Sequence, residues 1–144
     1  MFIVHGRNEA FRDGVARLVE RLGLKAILLR EQAHEGRTLI QKFEDHSNVG
    51  FAVVLVTGDD QGGLRGQPYD TQKPRARQNV IFELGYFRGK LGPKKVCALY
   101  ETGVELPTDY EGVGFVKLDD QERWHLDLAK EMKAAKLPVD LNKL

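Results

Sequence analysis

Six consecutive apolar residues, Phe51-Ala-Val-Val-Leu-Val56, constrain this chain more than any other stretch. The run is rich in β-branched residues and does not alternate with polar ones. A strand of that kind is covered on both faces, as at the centre of a parallel sheet. A parallel sheet in turn needs helical crossovers, and the sequence supplies them. Phe2–Val4, Ala26–Leu29, Val96–Tyr100 and Val113–Leu118 read as further strands. Asn8 caps a helix with Phe11, Val15, Leu18, Val19 and Leu22 on one stripe, and Gly23 ends it. Thr38 and Gln41 have capping-box spacing before Leu39, Ile40 and Phe43. Gln121 to Ala135 carries Trp124, Leu128 and Met132 at helical spacing. The expected fold is α/β: a single domain over residues 1–144, with a five-stranded parallel sheet, helices on both faces and right-handed crossovers.

The composition removes several functional classes. At 144 residues the chain fits one domain, and a formal charge of +1 argues against a nucleic-acid or membrane-surface partner. No run reaches the roughly 20 apolar residues that span a bilayer. Charged Arg7, Glu9 and Arg12 interrupt any signal-peptide pattern at the start. The single cysteine, Cys97, lies in a strand-like run and has no internal partner for a disulfide. That fits a reduced, cytoplasmic setting. The chain starts almost directly on a strand and ends soon after a helix, as expected of a bare domain cut from or fused to something longer.

In open parallel sheets, ligands sit at the carboxyl ends of the strands. That rule puts His5-Gly6-Arg7, Arg30 to Arg37, Thr57 to Gly63 and the start of the next helix on one rim. Thr57 to Lys73, rich in Gly, Asp and Gln, reads as one extended polar loop. The helix after it holds the most unusual position. Glu83 is a lone acid among Val80, Leu84, Phe87 and Leu91 at helical spacing, with Ile81, Phe82 and Tyr86 widening the apolar surface. Either Glu83 is a core-edge acid paired with Arg88 or another cation, or it is a carboxylate facing a pocket, with Asn79 one turn earlier on the same face. A single carboxylate suits a reaction that develops positive charge, such as cleavage of an N-glycosidic bond.

Asp59 and Asp60 follow the central strand, where acids either bind ribose hydroxyls or cap turns. Arg7, Arg30, Arg37, Arg65, Arg75 and Arg77 surround the rim and have the chemistry to hold a pyrophosphate, although surface arginines are commonly just solvated. Gly6 leaves room for a phosphate beside the backbone. No metal site is expected, because His5, His34, His46 and His125 are scattered without ligand spacing. There is no G-x-G-x-x-G, no P-loop and no serine elbow.

The order of these pieces resembles the TIR domain, and within it the TIR effectors of bacterial cyclic-nucleotide antiviral defence systems, the CD-NTase-associated (CBASS) TIR–STING proteins and the Pycsar TIR effectors. The residues that carry the resemblance are Phe2-Ile-Val-His-Gly6, Val53-Val-Leu-Val-Thr57 with Asp59-Asp60, and Arg77-Gln-Asn79-Val-Ile-Phe-Glu83-Leu-Gly-Tyr-Phe87, together with the closing Leu137-Pro-Val-Asp140-Leu-Asn-Lys143. Asn79-Val-x-Phe-Glu83-Leu-Gly is the most specific of them. The resemblance implies a flavodoxin-like TIR fold and an NAD+ glycohydrolase, with NAD+ as substrate rather than cofactor and Glu83 as the catalytic residue. His5, Gly6, Arg7, Asp59, Asp60, Arg77 and Asn79 are the expected substrate contacts. It also implies self-association through the Arg30 to Thr38 loop and a STING-like or cyclic-nucleotide-binding sensor domain outside this chain.

Two other functions fit parts of the sequence. A TIR module that signals by self-association, without chemistry, would explain a lone acid. An enzyme like the nucleoside deoxyribosyltransferases would also break an N-glycosidic bond with a carboxylate on an α/β sheet, and would turn over free deoxynucleosides.

Overall fold

The computed structural model describes residues 1–28, 39–45 and 48–144, and for Leu39 and Ile40 the backbone only. Arg30, Arg37, His34, His46, the Thr38 cap and the loop over residues 30–38 therefore lie outside the described residues. Five strands form one parallel sheet in the order β2-β1-β3-β6-β7. They are β1 (Phe2–Val4), β2 (Ile27–Leu28), β3 (Ala52–Val56), β6 (Val96–Tyr100) and β7 (Gly114–Lys117). The helices are α1 (Glu9–Arg21), α2 (Leu39–Glu44), α3 (Gln78–Leu91) and α4 (Trp124–Ala134). The α/β class and parallel sheet expected from the sequence are thus present.

Side chains alternate across the sheet, as the two-residue period of a strand requires. Phe2, Val4, Ala52, Val54, Val56, Val96 and Ala98 face α2 and α3, where Phe43, Val80, Leu84 and Phe87 meet them. Ile3, Val53, Leu55, Cys97 and Leu99 face the other way, against Val15, Leu18 and Val19 of α1 and Trp124, Leu128 and Met132 of α4. All five residues of β3 are buried, which is why that run shows no polar alternation. Cys97 sits in the middle of this core. Burial, and secondarily the Glu131 carboxylate, push its thiol far above the usual range. We expect no alkylation of the folded chain by iodoacetamide at pH 8, and one equivalent once denaturant is added.

Three sequence expectations need correction. The first is the polar stretch after β3, which is not an open loop. β4 (Asp60–Gly62) and β5 (Lys73–Arg75) pair antiparallel as a hairpin, with a turn of 3-10 helix at Tyr69–Thr71. These strands are Asp-Gln-Gly and Lys-Pro-Arg, so no apolar period announces them. Main-chain pairing and the base contacts hold them instead: the Glu105 amide donates to the Pro74 carbonyl, and Arg75 Nε lies 3.0 Å from Glu105 Oε2.

The second correction is the start of α4, which begins at Trp124 rather than Gln121. Glu122 has a positive φ of 56°, which breaks the helical path, and Asp119 Oδ1 accepts from the Arg123 amide just before the helix. The third concerns Phe82, which is 67% exposed and adds nothing to the buried surface around Glu83.

Candidate functional site

Leaving the hairpin aside, the chain visits the sheet in the order 2-1-3-4-5, the flavodoxin order, so its topological switch point lies between β1 and β3. The two segments that leave those strands meet there. Asp59 Oδ2 accepts from the Arg7 amide at 2.9 Å and from the buried Thr57 hydroxyl at 3.0 Å. Arg7 Nη1 lies 2.6 Å from Asp60 Oδ1. Gly6 makes this possible, because a Cβ on it would stand 1.7 Å from Asp59 Oδ2. His5 completes the group. Its Nδ1 donates to the Gly6 carbonyl at 2.9 Å, and its Nε2 is buried without a partner among the described residues. Five of the expected contact residues, His5, Gly6, Arg7, Asp59 and Asp60, are therefore brought together.

The Gly6 contact gives a direct test. Gly6 is not in the left-handed region, so alanine fits the backbone, and its cost comes from displacing Asp59. Gly6→Ala breaks two hydrogen bonds to a carboxylate and is expected to destabilise the chain by about 1–3 kcal/mol in urea unfolding. Asp59→Ala in the Gly6→Ala background should then add much less than it does alone.

Arg77, Asn79 and Glu83 lie apart from this group, at the start of α3, with Asn79 and Glu83 on one face and Arg77 just before the helix. Arg77 is the residue before the first helical turn and offers no side-chain cap. Asn79 is exposed and Glu83 half-buried. Val80, Leu84 and Phe87 define the buried stripe of α3, and Glu83 lies at its edge. Its neighbours reveal which edge. Tyr86 and Lys90, three and seven positions on, share the side of Glu83. Both reach Phe43 of α2: Tyr86 edge-on at 6.0 Å between centroids, Lys90 Nζ at 5.7 Å over the ring. Phe43 also stacks on Phe2 of β1 at 5.6 Å. Glu83 thus sits on the flank of α3 turned toward α2 and β1, the side of the switch point. Burial, then the Glu44 carboxylate, raise the Tyr86 phenol, so this neighbour is neutral at physiological pH.

A cleft of about 370 Å³ lies against the other flank, between Ile81 and Gln78 of α3 and Leu106–Pro107. Ile81 and Glu83 are two positions apart and so point about 200° apart, which separates that cleft from the carboxylate. Arg75, expected at the rim as a phosphate holder, is committed to Glu105. Thr57, placed on the rim by sequence reasoning but given no role, shapes it by donating to Asp59, and sequence reasoning missed Glu101, whose Oε2 accepts from the Gly58 amide at 2.8 Å. Glu101 had no local signal in the sequence. No His, Cys, Asp or Glu cluster among the described residues could hold a metal, and no helix there is long and apolar enough to cross a membrane.

Comparison with known proteins places the chain in a family. The chain is 43% identical to the uncharacterized protein YuaY of Escherichia coli K12 over 99% of its length, and to 48% of that protein's. It is 32% identical to the Pycsar effector protein BcPycTIR of Burkholderia cepacia, over 76% of this chain and 41% of that protein. It is 41% identical to CD-NTase-associated protein 12 of Flavobacterium daejeonense, over 44% of this chain and 19% of that protein. The chain spans less than half the length of each of these three relatives. The sequence model of the TIR domain of CAP12/Pycsar effector proteins matches residues 1–120, from β1 through β7, so the chain belongs to the CAP12/Pycsar effector TIR-domain family.

Proposed function

We propose that this TIR domain is an NAD+ glycohydrolase that breaks the nicotinamide–ribose bond, with Glu83 as the catalytic carboxylate. One observation carries the reading: Glu83 is a half-buried acid at the edge of an apolar stripe, on the flank of α3 turned toward the switch point. The C1′–N bond breaks, its electron pair leaves with nicotinamide as a neutral ring, and the ribosyl carbon is left with oxocarbenium character. A fixed carboxylate stabilises that charge, and a positioned nucleophile captures it. Water adds to C1′ and loses a proton, giving ADP-ribose. An adenine nitrogen attacking instead gives a cyclic product. NAD+ is consumed as substrate, and the chemistry needs no cofactor. Asn79, exposed one turn before Glu83, would orient the ribose, and Arg77, His5, Gly6, Arg7, Asp59 and Asp60 would line the remaining length of the ligand.

The names of the relatives tie those proteins to CD-NTase and Pycsar systems. By extension, the reading includes NAD+ depletion in antiviral defence, activation by assembly through residues 30–38, and a cyclic-nucleotide sensor domain carried elsewhere in the protein or by a partner. The deciding experiment clusters the chain on a scaffold with NAD+ and measures nicotinamide. Release on clustering is the expected result. A clustered chain that leaves NAD+ intact would instead be a self-association module.

A further inference from the structure

Asp59 and Asp60 are adjacent, yet the structure gives them unequal positions. Asp59 is tied at two points, to the Arg7 amide and the Thr57 hydroxyl, in a space that only a glycine at position 6 leaves open. Asp60 opens β4 at the base of the hairpin, and the contact described for it is with one guanidinium nitrogen. That pair is well exposed, with the two side chains 59% and 42% accessible. Arg7 lies in the loop three residues past the end of β1, beside the switch point where a ligand of this sheet would enter. Its guanidinium, the group best suited there to a diphosphate, is already holding a carboxylate.

We propose that Asp60 is a displaceable internal anion: it occupies the Arg7 guanidinium in the empty domain and gives way to the diphosphate of the ligand, while Asp59 stays as the fixed clasp of the β1 loop. This rests on the NAD+ reading above and refines it by dividing the expected contacts into one anion-binding residue, one competitor and one structural acid. An exposed ion pair contributes little to stability, so exchange with a diphosphate is easy but not free. The competition lowers ligand affinity by up to about fivefold. Because Asp60 belongs to β4, the same exchange removes the side-chain link between Arg7 and the hairpin, while the Asp59 clasp remains.

The test uses ADP-ribose, which keeps the diphosphate but lacks the scissile bond, so binding is read without hydrolysis. Calorimetry on the 144-residue chain should show Asp60→Asn binding about two- to fivefold more tightly than the parent. Arg7→Ala should weaken binding, and its cost should be larger measured from the Asp60→Asn chain than from the parent. The tightening caused by Asp60→Asn should vanish when Arg7 is alanine. Equal or weaker binding by Asp60→Asn overturns the proposal. So does a gain that persists without Arg7, since that is a general field effect and not competition, and so does the absence of ADP-ribose binding by any of the four forms. A chain that behaves as expected here but releases no nicotinamide when clustered would fail the glycohydrolase reading alone.

Discussion

Replacing Glu83 with glutamine should cut nicotinamide release from NAD+ by at least about a hundredfold, and by as much as a thousandfold, under the clustering that activates the parent chain. Glutamine matches glutamate in shape and keeps one acceptor oxygen, so the half-buried position on α3 stays filled. What disappears is the fixed negative charge. If Glu83 works by facing a ribosyl cation, that charge is the whole of its contribution, and a neutral isostere cannot replace it. A residue whose role is to pack or to cap would tolerate the change. The prediction therefore separates an electrostatic role from a structural one. Stability should move by no more than about 1 kcal/mol, as for a partly exposed charge, and this is checked by urea unfolding. A Glu83→Gln chain that assembles, stays folded and keeps the parent rate would end the proposed mechanism. Glu83→Asp offers a second reading. It keeps the charge but withdraws it by one methylene, and misplacement of about 1 Å costs on the order of a hundredfold where positioning matters.

How much of this was legible in the sequence follows from the range of the interactions. The sheet was readable because its signal is local and repeated: β3 is apolar throughout, and its neighbours alternate between the two core clusters. Glu83 was conspicuous for the same reason, as a break in a short-range apolar pattern. The meeting of Gly6 and Arg7 with Asp59 and Asp60 could not be read that way. Arg7 and Asp60 are 53 positions apart, and only the topology of the sheet makes them neighbours. The hairpin was hidden because main-chain bonds and the Arg75–Glu105 pair hold it, and neither leaves an apolar period. The late start of α4 depends on a positive φ at Glu122, a conformation that glutamate does not advertise. Phe82 shows the opposite limit. An aromatic residue beside a core stripe reads as core, and only the rotation of the helix shows that it faces outward.

That rotation can be tested with two phenylalanines of α3, one on each side of Glu83 in sequence. Phe87 is fully buried, with its ring 5.2 Å from that of Phe2 and 5.9 Å from that of Phe43. Phe87→Ala removes a ring from the centre of the α2–α3 face and leaves a cavity, at an expected cost of about 3–5 kcal/mol. For a domain whose total stability is about 5–15 kcal/mol, that is enough to leave a sizeable unfolded fraction in mild urea. Phe82→Ala removes the same ring from the same helix at a position 67% exposed, and should change stability by no more than about 0.5 kcal/mol. Residue type, helix and substitution are identical in the two variants, so their difference measures orientation alone. The orientation carries Glu83 with it: if Phe87 points at Phe2 and Phe43, the carboxylate lies on the flank turned toward β1. Equal costs for the two variants would mean that α3 is rotated from this arrangement. Glu83 would then face away from the switch point, and the proposed site would lose its catalytic acid whatever the chain does to NAD+.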